Sequence, residues 1–162
     1  MITERATLIF LKKIFNDYDP DFLDIRSPCG AGIGQIAYNF DGSIFSCDEA
    51  RMLSRMGDNS FKLGDVDTPL AEMLNSPPCK TMIISSTLNN IPGCSDCAYS
   101  PYCGICPIFN YIETKSVFAR PELNDRSRLN KMRLDYIFEK LSHKKTEQTL
   151  KSWLNQASKK TA

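Results

Sequence analysis

Apolar and polar positions alternate unevenly along this chain, predicting short elements in its middle and longer helices at its two ends. Residues 3–16 read as a helix: Thr3 can cap it, Glu4 suits its first turn, and Leu8, Ile9 and Phe15 sit among apolar neighbours on nearly every side. A helix that apolar needs to be covered by more protein. Asn16–Pro20 breaks it, and 21–26 is expected to be a short extended link. Ile36, Tyr38 and Phe40 then alternate with Ala37 and Asn39, the period of a half-buried strand. Asp41-Gly42 suits a tight type I′ turn, and Ser43–Ser46 returns with Ile44 and Phe45.

Asp48 can cap a short helix running to Met56, with Gly57 as its stop. Phe61–Val66 reads as a brief strand and turn. Thr68-Pro69 opens a helix over 70–75, and Pro77-Pro78 opens another through about Thr87. Pro107 starts one or two helical turns over 108–112. Residues 125–142 form the clearest helix, with Leu134, Ile137, Phe138 and Leu141 along one stripe. A last amphipathic helix, 146–158, aligns Leu150, Trp153, Leu154 and Ala157, and its lysines (Lys144, Lys145, Lys151, Lys159, Lys160) form a solvated face. The pattern is α+β: a β-hairpin and short helices on loops, flanked by N- and C-terminal helices.

Composition narrows the function classes. At 162 residues and 42% hydrophobic, the chain has room for a domain with a modest core and an appendage. A formal net charge of +1 provides no global field for nucleic acid or acidic membrane, so neither is expected as a partner. The N-terminus carries Glu4 and only a short apolar run at Leu8–Phe10, which fits neither a signal peptide nor a membrane span. The expected location is the cytoplasm, where thiols stay reduced.

The cysteines change the picture most. Four of the seven fall between residues 94 and 106 as C-x2-C-x5-C-x2-C: Cys94, Cys97, Cys103 and Cys106. Gly93 and Gly104 let the backbone approach whatever sits there, and Pro92, Pro101 and Pro107 stiffen the turns. Cys29 stands before the hairpin and Cys47 closes it, so the hairpin carries both towards its open end. Cys79 begins a helix, where orphan amides lower a thiol pKa, although packing is its more ordinary role. Three chemistries compete. Disulfides are opposed by the reducing compartment and the odd count. Two C-x2-C knuckles are compatible with structural zinc, but the only histidine is the remote His143, and Cys29 and Cys47 go unexplained. Iron–sulfur clusters use four thiolates each and interleave their ligands in sequence, which suits two cysteine groups better.

Cys29-x12-Gly42-x4-Cys47, a gap, then Cys94-x2-Cys97-x5-Cys103-x2-Cys106 resembles the SPASM domain, the auxiliary-cluster extension of radical SAM enzymes that modify peptides and proteins. That family's pattern is C-x9–15-G-x4-C, a gap, C-x2-C-x5-C-x3-C, a gap, and C. Ser-Pro-Cys29-Gly-Ala-Gly-Ile-Gly-Gln, Cys47-Asp-Glu-Ala-Arg-Met52, Pro-Gly-Cys94 and Tyr-Cys103-Gly-Ile-Cys106-Pro are similar, more narrowly, to maturases of His-Xaa-Ser peptide systems. The resemblance implies [4Fe–4S] clusters, one or two, with Cys29, Cys47 and Cys106 on the first and Cys94, Cys97 and Cys103 on the second. This chain departs from the pattern in its last spacing and in having no cysteine after Cys106, the family's final ligand falling near Ser127. The second site is then left with three thiolates, with Cys79 a further candidate. The first also has three clear ligands, leaving either an iron open to substrate or a fourth donor from elsewhere.

The family's catalytic core carries a C-x3-C-x2-C loop, which is absent from this sequence. The resemblance therefore divides the chain into 1–27, the end of a radical SAM barrel; 28–128, a SPASM-like cluster domain; and 129–162, C-terminal helices. It implies electron transfer and positioning of a peptide or protein substrate, with no activity alone. S-adenosylmethionine would be bound only in the complete enzyme or by a separate core subunit, this chain being a fragment, a split-gene subunit or a decayed copy. The rival readings are a zinc-stabilised interaction module and an inactive remnant.

Overall fold

The computed structural model describes residues 4–16, 22–118, 120 and 124–158. These carry seven α-helices and a three-stranded antiparallel sheet, an α+β fold. They fall into two compact units, one within Met1–Phe22 and Asp125–Ala162, the other Leu23–Asn124.

The first unit is three helices: α1 (Arg5–Phe15), α6 (Asp125–Leu141) and α7 (Lys144–Ser158). Thr3, expected as the first cap, lies outside the described residues. Glu4 takes that role instead, its carboxylate accepting from the Ala6 and Thr7 amides at 2.9 and 2.7 Å. The Thr7 hydroxyl and amide hold the Glu4 carboxyl below its ordinary pKa. The apolar α1 packs against both α6 and α7, burying Phe10 and Leu11. The predicted stripe of α6 is the buried one: Leu134 and Ile137 are enclosed, and Phe138 and Leu141 are half-buried.

The second unit is built on the meander β1 (Ala37–Tyr38), β2 (Ser43–Phe45) and β3 (Lys62–Asp65), with β2 in the middle. Around it lie α2 (Asp48–Arg55), α3 (Leu70–Asn75), α4 (Pro77–Ser86) and α5 (Pro107–Thr114). The 21–26 link is not extended throughout: Leu23–Ile25 forms a 3-10 turn, and residue 21 lies outside the described set.

The hairpin differs from expectation in two ways. Its turn spans Asn39–Gly42, with the Gly42 amide donating to the Asn39 carbonyl at 3.1 Å and Gly42 last, at φ 84°. The left-handed glycine thus follows the turn as a bulge rather than sitting inside a type I′ pair. Asp41 tightens it by accepting from the Ser43 amide and hydroxyl. Burial also moves from β1 to β2. Tyr38 and Phe40 are 62% and 86% exposed, whereas every residue of β2 is buried. A middle strand is covered on both faces. Ile44 joins Leu63, Met73 and Cys79 in one apolar cluster, and its neighbour Phe45 joins Ala50, Leu53, Phe61, Met82 and Ile108 in another.

α5 is tied to the loop after α2 by two contacts. Phe61 and Tyr111 pack edge to face at 5.2 Å, and the Tyr111 hydroxyl donates to Asp58 Oδ2 at 2.9 Å. Among the described residues no helix is long and apolar enough to cross a membrane.

The Ser60 hydroxyl and amide, and then Tyr111, hold the Asp58 carboxyl below its ordinary value. A carboxyl depressed in the folded state adds stability above its unfolded pKa, and that stability disappears as pH falls through the folded value. Tyr111→Phe should cost about 1 kcal/mol or less at neutral pH, given the solvent around this pair. Urea unfolding of the variant should show a smaller loss of stability than wild type on acidification below pH 4.

Candidate metal centre

Each cysteine is placed by a separate device. Cys29 follows the cis Ser27–Pro28 bond, and the chain here is pinned to the end of α4. The Cys29 amide donates to Ser86 Oγ at 3.2 Å, and Ser27 Oγ accepts from the Leu88 amide at 2.9 Å. Ser86 is buried at the end of an apolar helix. Its polar character there was the available sequence signal for a residue that positions Cys29, and it went unused. After Cys29 the chain closes on itself: the Gly30 carbonyl accepts from the amides of Ile33, Gly34 and Gln35, and Gly32 binds the carbonyls of Gln35 and Ser46. This small loop brings Cys29 alongside the strand that ends at Cys47.

Cys47 itself is the N-cap of α2, where Asp48 was expected. Its sulfur accepts the Ala50 amide at 3.4 Å. A helix N-terminus favours a thiolate. Burial works the other way and prevails, pushing the Cys47 thiol up to about 12, with Glu49 and Cys106 adding to the rise. A ligand that binds the thiolate would have to displace a tightly held proton.

Cys106 is brought in by the close approach of Gly104 to another chain segment. A Cβ on Gly104 would stand 2.6 Å from Ile25 Cα and 2.7 Å from both Arg26 N and Asp24 O, all backbone atoms with no freedom to move aside. The backbone of the second C-x2-C knuckle therefore lies directly against the 24–26 segment that leads to Cys29. Cys106 then caps α5 and packs on the cluster holding Cys29 and Cys47.

These three cysteines line one open cavity, together with Asp24, Gln35 and Glu49. Met82 and Ile105 supply apolar wall. Cys94 and Cys103 form a second grouping, packed on Leu88, Ile91 and Ile105. Cys97 belongs to the same run of turns, its amide donating to the Cys94 carbonyl and its carbonyl accepting from Ser100. All four cysteines of this segment are half-buried.

Cys79 is placed elsewhere. It is fully buried among Ile44, Leu63 and Met73, and a Cβ on Gly32 would come within 2.7 Å of its sulfur. Its amide, expected to lower the thiol pKa, is instead capped by Ser76 Oγ, and burial raises the thiol. Ser127 lies half-buried in the first turn of α6, in the helical unit. None of the seven cysteines is joined in a disulfide. Among the described residues no three His, Cys, Asp or Glu side chains are gathered as a single metal ion would hold them.

Residues 29–98 match the family model of SPASM, an iron–sulfur cluster-binding domain. The SPASM match begins at Cys29 and takes in Cys47, Cys94 and Cys97, while Cys103 and Cys106 follow it. No curated protein and no solved structure matches the chain. The donor set fits iron–sulfur chemistry: thiols on a shared cavity, one of them hydrogen-bonded at sulfur by a backbone amide, with Met82 and Ile105 as apolar wall. Cys29, Cys47 and Cys106 are the residues that would hold such a group in this cavity.

Two outcomes follow from this geometry. Gly104→Ala should lower stability by about 2–3 kcal/mol, since the added methyl meets only backbone. Gly57→Ala, whose Cβ meets nothing within 4 Å, should cost about 1 kcal/mol for its positive φ alone. Denaturant midpoints compare the two directly. Cys47→Ala should lower the iron taken up by anaerobically reconstituted protein, whereas Cys79→Ala should keep the iron and lose about 1 kcal/mol of stability. Iron analysis beside urea melts tests both.

Proposed function

We propose that this chain is the auxiliary-cluster module of a radical SAM system that modifies a peptide or protein. The observation that carries the proposal is the convergence of Cys29, Cys47 and Cys106 on one cavity within a region matching an iron–sulfur cluster-binding domain. When bound, [4Fe–4S] clusters supply one-electron transfer. The chain's own residues set the conditions for it. The Ala50 amide partly neutralises charge on the Cys47 sulfur, which raises the potential of whatever metal the sulfur holds. Met82 and Ile105 give that site an apolar wall. The open mouth leaves one side accessible to a substrate segment. The sequence resemblance supports a peptide substrate, the His-Xaa-Ser systems being the narrower form of the proposal, and a separate radical SAM core subunit as partner.

Protein reconstituted without oxygen should turn brown, carry iron and sulfide in near-equal amounts, and give a cluster EPR signal on reduction. With no C-x3-C-x2-C loop in its sequence, the chain alone should form no 5′-deoxyadenosine from S-adenosylmethionine under reducing conditions. A colourless protein that retains zinc and refuses iron overturns the proposal, and 5′-deoxyadenosine production overturns the division of labour.

A further inference from the structure

The cavity that gathers Cys29, Cys47 and Cys106 offers three thiols, and a four-iron cluster presents four corners that each take a terminal ligand. Every other cysteine is committed elsewhere: Cys79 to the opposite core, and Cys94, Cys97 and Cys103 to the neighbouring run of turns. The remaining anionic donors on the cavity lining are the carboxylates of Asp24 and Glu49. They differ in how free they are to reach a metal. Asp24 belongs to the 3-10 turn whose backbone is wedged against Gly104, and the residue already has an interaction partner. Glu49 stands in the first turn of α2, two residues after Cys47, with an exposed side chain at the cavity's edge.

We propose, on the reading that this cavity holds an iron–sulfur cluster, that the Glu49 carboxylate is the fourth ligand, completing a Cys29–Cys47–Cys106–Glu49 set. The helix that presents the Cys47 sulfur presents Glu49 beside it, so one short element supplies two donors to the same cluster. Ligation is a plain exchange: a carboxylate oxygen binds the fourth iron, no electron moves, and a solvent ligand leaves. A carboxylate is a harder donor than a thiolate and holds a cluster iron less firmly. The Glu49 corner is therefore the exchangeable one, open to displacement by an incoming thiolate or amine while the three thiolates keep the cluster in place.

The test uses the full chain, reconstituted anaerobically, as wild type, Glu49→Gln, Glu49→Cys and Asp24→Asn, followed by EPR of the reduced protein and by the rate of iron loss to a chelator. Glu49→Gln should change the EPR g values and speed iron loss by about tenfold or more. Glu49→Cys should slow the loss again, and Asp24→Asn should leave both readouts as in wild type. Unchanged g values in Glu49→Gln overturn the proposal, even if iron leaves faster, because an electrostatic role for Glu49 would change the rate without changing the ligand set. A change confined to Asp24→Asn overturns it in favour of Asp24. If wild type takes up no iron, the cluster reading fails first and independently; if wild type loads normally and Glu49→Gln is silent, only the ligand assignment fails.

Discussion

The close approach of Gly104 to the Asp24–Arg26 backbone is the contact on which the candidate centre depends. Cysteines far apart in sequence meet at one cavity only because two chain segments touch main chain to main chain there. Any side chain at 104 would have to displace a peptide unit, and peptide units in a packed turn do not yield as a flexible side-chain tip would. The other positioning devices are hydrogen bonds of ordinary strength: Ser86 to the Cys29 amide, and the Ala50 amide to the Cys47 sulfur. They tune a meeting that the glycine permits.

How much of this was legible in the sequence depends on the range of each interaction. The helix over 125–141 could be read because its stripe of Leu134, Ile137 and Phe138 is a local, periodic signal. The apolar α1 reads in sequence as needing more protein than the chain offers, whereas α6 and α7, from its far end, supply the cover. Alternation in 36–40 suggested that β1 was the buried strand. Burial is decided by neighbours, however, and β2 lies between β1 and β3 with a core on either face. Cys47 was missed as a helix cap because sulfur is an uncommon capping acceptor beside aspartate. For Cys79, the helix-start argument considered backbone amides but not the apolar residues that other elements bring around the thiol.

The cavity also explains why its cysteines combine reactivity with protection. A buried thiol that holds its proton, as Cys47 does, is a poor nucleophile and resists oxidation. Cys94, Cys97 and Cys103 are only half-buried, on a run of short turns. The two groups therefore differ in how far solvent reaches their thiols.

The placement of β2 has a consequence for assembly. Ile44 and Phe45 point into separate hydrocarbon clusters, and the one around Ile44, Leu63 and Met73 contains no half of the candidate centre. Small metalloproteins whose apolar residues are too few to pack without the ion fold only as they load. Here a middle strand, its two flanking strands and α3 and α4 already have an oily interior of their own. That interior is hydrocarbon packing, separate from the cluster that holds Cys29 and Cys47.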